Sequence, residues 1–155
     1  MFSGSYFHLL DNKGRVSISP RYREILQERQ DRILVLTNFD GYILAFPQSE
    51  WIKIEAKLAE QAIFNKEVRA FQRFLISGVQ ECPLDRQGRI LIGPYLRDYA
   101  RLTREVALVG AVRCFEIWDR ARYEAHFKQL ESSVNEEVVQ KLLILAKTTT
   151  RCMNR

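Results

Sequence analysis

Asp11-Asn12-Lys13-Gly14-Arg15-Val16-Ser17-Ile18-Ser19-Pro20-Arg21-Tyr22-Arg23 returns later in the chain as Asp85-Arg86-Gln87-Gly88-Arg89-Ile90-Leu91-Ile92-Gly93-Pro94-Tyr95-Leu96-Arg97, at an offset of 74 residues. Ser3-Gly4 and Ser77-Gly78 precede the two stretches at the same offset. A second block, Tyr42-Ile43-Leu44-Ala45-Phe46 with Trp51, is answered at an offset of 72 by Cys114-Phe115-Glu116-Ile117-Trp118 with Tyr123. The two-residue slip is what one loop deletion in the second copy produces. So many matched positions in one register identify a tandem duplication. Each half, at about 75 residues, is near the size at which a lone core is marginal, so two halves sharing one core are expected.

Composition sets the outer bounds. The chain has 155 residues, with 24 basic and 19 acidic side chains, for a net charge of +5. The charge divides as about +2 over residues 1–77 and +3 over 78–155. A pI near 9.3 permits a polyanionic partner without requiring one. Cys82, Cys114 and Cys152 are odd in number and widely spaced, which points to reduced thiols rather than a disulfide or zinc framework. The start, Met1-Phe2-Ser3-Gly4-Ser5-Tyr6, lacks the basic and apolar segments of a signal peptide. No run approaches the ~20 apolar residues of a membrane span, so a soluble, cytoplasmic protein without a membrane partner is expected.

Each copy reads as strand, tight loop, strand, short helix and hairpin. In Asp11-Asn12-Lys13-Gly14, the Asp side chain starts a turn and Gly14 supplies a positive φ at its end. Val16 and Ile18 then alternate with Ser17, placing the two aliphatic residues on one face. Ser19-Pro20 reads as an N-cap followed by an N1 proline, with a helix to about Leu26; Gly93-Pro94 repeats the device with a weaker cap. Ile33–Thr37 and Tyr42–Phe46 flank Asp40-Gly41 as a hairpin, matched by Glu105–Val109 and Cys114–Trp118. Residues 50–76 lack Pro and Gly and carry helical spacing: Trp51, Ile54, Leu58 and Ala62 on one face, Val68, Phe71, Phe74 and Leu75 on another. A helix with Tyr123, Phe127 and Leu130 follows the second copy. The last helix runs from Val134 to Ala146, ahead of a frayed basic end from Thr148. The division expected is a repeat over 5–50, a helical linker over 51–78, a second repeat over 79–122, and C-terminal helices and tail over 123–155.

The repeated Asp-x-x-Gly-Arg loop has two readings that are compatible with each other. Asp11 and Asp85 cap their turns and pair with Arg15 and Arg89, while those arginines, with Lys13 and Arg86 at the tips, reach a nucleic acid. Arg is the side chain best suited to forked contacts with phosphates or guanine edges. Gly14 and Gly88 shape the loops; Arg21, Arg23 and Arg97, on the following helices, are either solvated or phosphate contacts. The hairpin aromatics alternate like core residues. His8 and His126 have no Cys or Glu partner at ligand spacing, so no metal ligand is expected. No nucleophile elbow, phosphate-cradling loop or dinucleotide fingerprint occurs. No catalytic residue, cofactor or small-molecule substrate follows from the sequence, and no enzyme activity is expected.

Taken together, Met1-Phe2-x-Gly4, Leu10-Asp11-x-Lys13-Gly14-Arg15-Val16-Ser17-Ile18-x-x-Arg21-Tyr22-Arg23, Phe46-Pro47-x-x-Glu50-Trp51 and Asp85-x-x-Gly88-Arg89-Ile90-Leu91-Ile92-x-Pro94 resemble the MraZ family. The match continues through Leu102-Thr103-x-Glu105-Val106-x-Leu108-Val109-Gly110 and Phe115-Glu116-Ile117-Trp118-Asp119, covering most of residues 1–125. The resemblance implies a mostly β protein with helices (α+β), built from two tandem SpoVT/AbrB-like swapped-hairpin half-barrels in a pseudo-two-fold arrangement. It also implies a homo-oligomeric ring and a nucleoid-associated bacterial transcriptional regulator. Such proteins bind direct repeats of double-stranded DNA in their own promoter, ahead of the division and cell-wall genes, and usually repress them. The family's Asp-x-x-x-Arg motif falls on Asp11/Arg15 and Asp85/Arg89. Gly93 and Ser19 stand where the family commonly has proline. An oligomeric scaffold that binds protein rather than DNA is the competing reading, and loss of DNA binding on Arg→Ala change in the loops separates the two.

Overall fold

The structure, a computed structural model, describes residues 1–61 and 63–153, with the side chains of 149–153 excepted. Ala62, assigned above to the Trp51 face, and residues 154–155 lie outside the described residues. The chain separates into two units, Met1–Ala121 and Arg122–Arg155.

The first unit holds both repeats. The first supplies β1 (Ser5–Leu9), β2 (Arg15–Ser17), α1 (Pro20–Glu28), β3 (Ile33–Phe39) and β4 (Tyr42–Pro47); the helices α2 (Gln48–Ala59) and α3 (Lys66–Ser77) follow. The second supplies β5 (Gln80–Pro83), β6 (Arg89–Leu91), α4 (Pro94–Tyr99), β7 (Glu105–Gly110) and β8 (Phe115–Asp119). The class is α+β, as expected. Six strands form an antiparallel sheet in the order β1-β7-β8-β4-β3-β5, and β2 pairs with β6 in a separate ribbon. That order is unchanged when the repeats are interchanged and the list is reversed. The first strand of each repeat is thus hydrogen-bonded to the hairpin of the other: Leu9 opposite Glu105, Pro83 opposite Ile33. The sequence offsets locate the pseudo-two-fold axis, which passes through the pairs Val16–Ile90 and Leu44–Glu116.

The local chemistry explains most elements. Asp40 (φ +46°) and Gly41 (φ +84°) make a two-residue hairpin turn of the kind that matches strand twist, joining β3 to β4. Pro20 and Pro94 open α1 and α4 at the first turn, where a missing N–H costs nothing. Ser19 does not cap as expected: it is buried, and its hydroxyl donates to and accepts from no partner. Its Oγ makes no bond to the N–H groups of the first helical turn; the Ser19 carbonyl accepts from Arg23 N–H (3.0 Å), and Pro20 supplies the helical φ at the start. The helix continues two residues past Leu26, to Glu28. The linker is broken into α2 and α3, and Asn65 caps the second by accepting from the N–H groups of Glu67 (2.9 Å) and Val68 (3.1 Å). The C-terminal helix, α6 (Glu136–Met153), runs on to Met153 instead of fraying at Thr148. It follows α5 (Arg120–Ser133), and its Val138, Val139, Leu142, Leu143 and Leu145 are exposed.

One core serves both repeats. Tyr22 of the first repeat packs edge-on to Phe2 (centroids 5.2 Å apart) and tilted against Phe115 of the second (4.9 Å), and its hydroxyl donates to the Gly4 carbonyl (2.8 Å). Val16, Ile18, Leu34, Leu36 and Ile43 join Ile90, Ile92, Leu96, Val106, Leu108 and Ile117 in the same cluster. On the other side of β3, Val35 packs with Trp51 of α2 and Leu75 of α3. Tyr42 stacks on Trp118 (4.6 Å), so the hairpin aromatics serve packing. Because the core is undivided, Phe115→Ala removes ~3–5 kcal/mol from both halves at once. Urea unfolding read separately at Trp51 and Trp118, in single-tryptophan variants, should shift to lower denaturant by the same amount at both sites.

Candidate nucleic-acid interface

The two Asp-x-x-Gly-Arg loops fold alike, bond for bond. In the first, one Asp11 oxygen accepts from the backbone N–H groups of Lys13 (2.9 Å) and Arg15 (2.8 Å), and the other accepts from Arg15 Nε (2.8 Å). In the second, Asp85 accepts from the N–H groups of Gln87 (2.8 Å) and Arg89 (2.9 Å) and from Arg89 Nε (2.9 Å). The chain closes each turn with Gly N–H to Asp carbonyl bonds of 3.0 Å, and Gly14 and Gly88 sit at φ +87° and +72°. Positive φ is what residues with a Cβ resist, so glycine is required there.

The loops are also tied to each other. Val16 pairs with Ile90, Ile18 N–H donates to the Gly88 carbonyl (2.9 Å), and Ile92 N–H donates to the Gly14 carbonyl (2.8 Å). Each loop is further backed by the short helix of the opposite repeat. The Arg97 guanidinium of α4 lies against Gly14, and the Arg23 side chain of α1 lies against Gly88. Arg97 is half-buried, and its Nε has no hydrogen-bond partner. The site therefore gathers Lys13, Arg15 and Arg97 at one loop and Arg86, Arg89 and Arg23 at the other. Arg21 stands apart from this set, held by Glu24 at 3.1 Å in an exposed pair.

Arg15 and Arg89 are held through Nε alone, with side chains 35% and 29% exposed. That leaves the two amino groups of each guanidinium, the donors used in forked contacts. The backbone bond from Arg15, then its side-chain bond, holds the Asp11 carboxyl down at about 2. Asp85 is lowered for the same reasons, the backbone bond from Arg89 first. Both carboxylates are ionised at neutral pH, and they offset two of the six cations. His8, on β1, is pushed below its ordinary value by burial and by the Arg23 charge. Cys82 and Cys114 are free and buried, and burial raises their thiols to about 12 and about 11. Among the described residues no group of three or more His, Cys, Asp or Glu side chains is placed to hold a metal ion. No helix among them is long and apolar enough to cross a membrane. The sequence reading missed the cross-bracing of the loops by Arg23 and Arg97 and the pairing of β2 with β6. The duplication carried the one available signal, since equal loops on a shared core must face each other across the axis.

Fold and site together define a tandem-repeat protein that carries two copies of one arginine turn on a shared β ribbon. The chain belongs to the MraZ family. The family model, described as "MraZ protein, putative antitoxin-like", matches residues 1–74 and again 75–144. The chain is 46% identical over 127 residues to the transcriptional regulator MraZ of Syntrophobacter fumaroxidans, covering 82% of this chain and 85% of that one. It is 40% identical over 145 residues to the protein of that name from Pelotomaculum thermopropionicum, covering 94% and 97%. It is 39% identical over 143 residues to that of Heliobacterium modesticaldum, covering 92% and 97%.

Two predictions follow from the loop geometry. Gly14→Ala and Gly88→Ala both incur ~1–2 kcal/mol of positive-φ strain. Gly14→Ala costs more, because its Cβ would stand 2.8 Å from the fixed Ile92 carbonyl, whereas at Gly88 the obstacle is the flexible Arg23 side chain; thermal melts of the two variants should rank in that order. Asp11, lowered from an ordinary 3.8 to about 2, contributes stability that is fully present above pH 3.8 and is lost as pH falls through 2. Carboxyl NMR titration should place its midpoint near 2 and keep it depressed in Arg15→Ala, since the largest cause is a backbone N–H that alanine retains.

Proposed function

We propose that this protein is a sequence-specific DNA-binding transcriptional regulator, and that the paired loops are its contact with double-stranded DNA. The observation that carries the reading is the set of six cations gathered at the two loops of one ribbon, three at each, with Arg15 and Arg89 at equivalent positions on its strands. Two guanidiniums there are oriented by carboxylates yet keep their amino groups for a ligand. The relatives are named transcriptional regulators, and repression of the chain's own promoter is the mode of action proposed. Its targets are direct repeats ahead of the division and cell-wall genes. Lys13, Arg15, Arg86 and Arg89 make the principal contacts, and Arg23 and Arg97 add phosphate contacts from behind each loop. Arg21 is the weaker candidate because Glu24 already holds it.

With a net charge of only +5, one copy is a modest ligand for DNA. A cytoplasmic, nucleoid-associated homo-oligomer, arranged as a ring, would present many copies of the ribbon and gain by avidity. The competing reading, a protein-binding scaffold, draws on the exposed apolar face of α6.

The deciding measurement is binding to the chain's own upstream DNA across a salt series, by wild type, Arg15→Ala, Arg89→Ala and the double variant. Since the Asp turns rest mainly on backbone N–H groups, each variant should keep its circular-dichroism spectrum while losing ~1–3 kcal/mol of binding. The slope of log affinity against log salt should fall by about one for each phosphate contact removed. Folded variants that bind as tightly as wild type would return these arginines to a purely structural role.

A further inference from the structure

The outer face of the β2–β6 ribbon carries an asymmetry that the duplication does not require. Val16 and Ile90 are each 1% exposed and face the core. Strand alternation therefore puts Arg15 and Ser17 of β2 with Arg89 and Leu91 of β6 on the opposite face. The register sets Arg15 across from Leu91 and Ser17 across from Arg89. The face is a four-residue patch with arginines on one diagonal and Ser17 and Leu91 on the other. Ser17 and Leu91 occupy equivalent positions in the two repeats, and they alone break the two-fold symmetry of the patch.

Leu91 is 52% exposed and lies outside the buried core, yet it stands between two arginines, Arg15 across the ribbon and Arg89 on its own strand. An exposed leucine there favours a ligand that offers apolar surface next to hydrogen-bond acceptors. A two-stranded ribbon fits the DNA major groove, whose floor presents guanine acceptors and one apolar group, the thymine methyl. Serine bonds to either kind of edge and makes no such demand.

On the reading that the ribbon binds DNA, we infer that Leu91 is a specificity residue for a thymine methyl beside the bases contacted by Arg15 and Arg89. The Ser17–Leu91 difference then fixes the direction in which the nearly symmetric ribbon sits on its site. One orientation puts leucine on the methyl; the reverse puts serine there and forfeits the contact.

The test uses duplex DNA spanning the start of the chain's own gene, prepared once with thymine and once with uracil, which lacks the methyl. Wild type should bind the uracil duplex about threefold to fivefold more weakly, the value of one buried methyl. Leu91→Ser, a substitution at an exposed position, should melt like wild type and bind both duplexes equally. The double swap Ser17→Leu, Leu91→Ser should regain the preference, and single uracil substitutions should show the same sensitive thymine, because the ribbon turns end for end to return leucine to the methyl. Equal binding of both duplexes by wild type, or a preference that survives in Leu91→Ser, overturns the inference while leaving DNA binding intact. If Arg15→Ala and Arg89→Ala leave binding to both duplexes unchanged, the reading that the ribbon is the DNA contact fails, and the inference with it.

Discussion

Everything in this protein depends on the exchange of first strands between the repeats. β1 completes the hairpin of the second repeat and β5 that of the first, so neither half has a closed sheet or a complete core alone. The aromatic cluster makes the same point with side chains: Tyr22 comes from one copy and Phe115 from the other. Once the strands are exchanged, the segments that follow them must meet at the axis, and β2 and β6 pair there. The two loops are then held at a fixed separation by the backbone bonds Ile18 to Gly88 and Ile92 to Gly14. Such pairings join segments far apart in the chain, which slows folding but gives a rigid product.

That rigidity gives the electrostatics their value. A flexible arginine loses side-chain entropy on binding a ligand, whereas one held through Nε has lost part of it already. Asp11 and Asp85 perform this orientation and, through their backbone bonds, the shaping of the turn. Arg23 and Arg97 add charge from the opposite repeat and fill the space over Gly88 and Gly14. The device is therefore reciprocal: each loop takes its turn from its own repeat and its backing from the other. The repeats are not identical. α1 has nine residues and α4 six, consistent with the shorter spacing in the second copy.

Much of this was legible in the residues. The 74 and 72 offsets match the strand register, because duplicated segments on a pseudo-two-fold axis must pair at equivalent positions. The Asp-x-x-Gly-Arg turns were readable because their bonds span four residues or fewer and depend on local chemistry. Ser19 shows the limit of local rules. Its type and its proline neighbour fit an N-cap, but it is buried and its hydroxyl makes no bond to the helix. The break before α3 had its signal in Asn65, which helical spacing alone passed over.

The sequence by itself determined the duplication, the local elements and the loop turns, since periodicity, proline, glycine and short-range carboxylate bonds act within a few residues. Only the tertiary structure decided that the first strands cross over, that β2 lies against β6, and that Arg23 and Arg97 brace the opposite loops. Those outcomes depend on which distant apolar surfaces bury together, and alternation along one strand is compatible with either hairpin as partner. The shared core selects the exchanged arrangement, and with it the four-residue face on which Leu91 meets the two arginines.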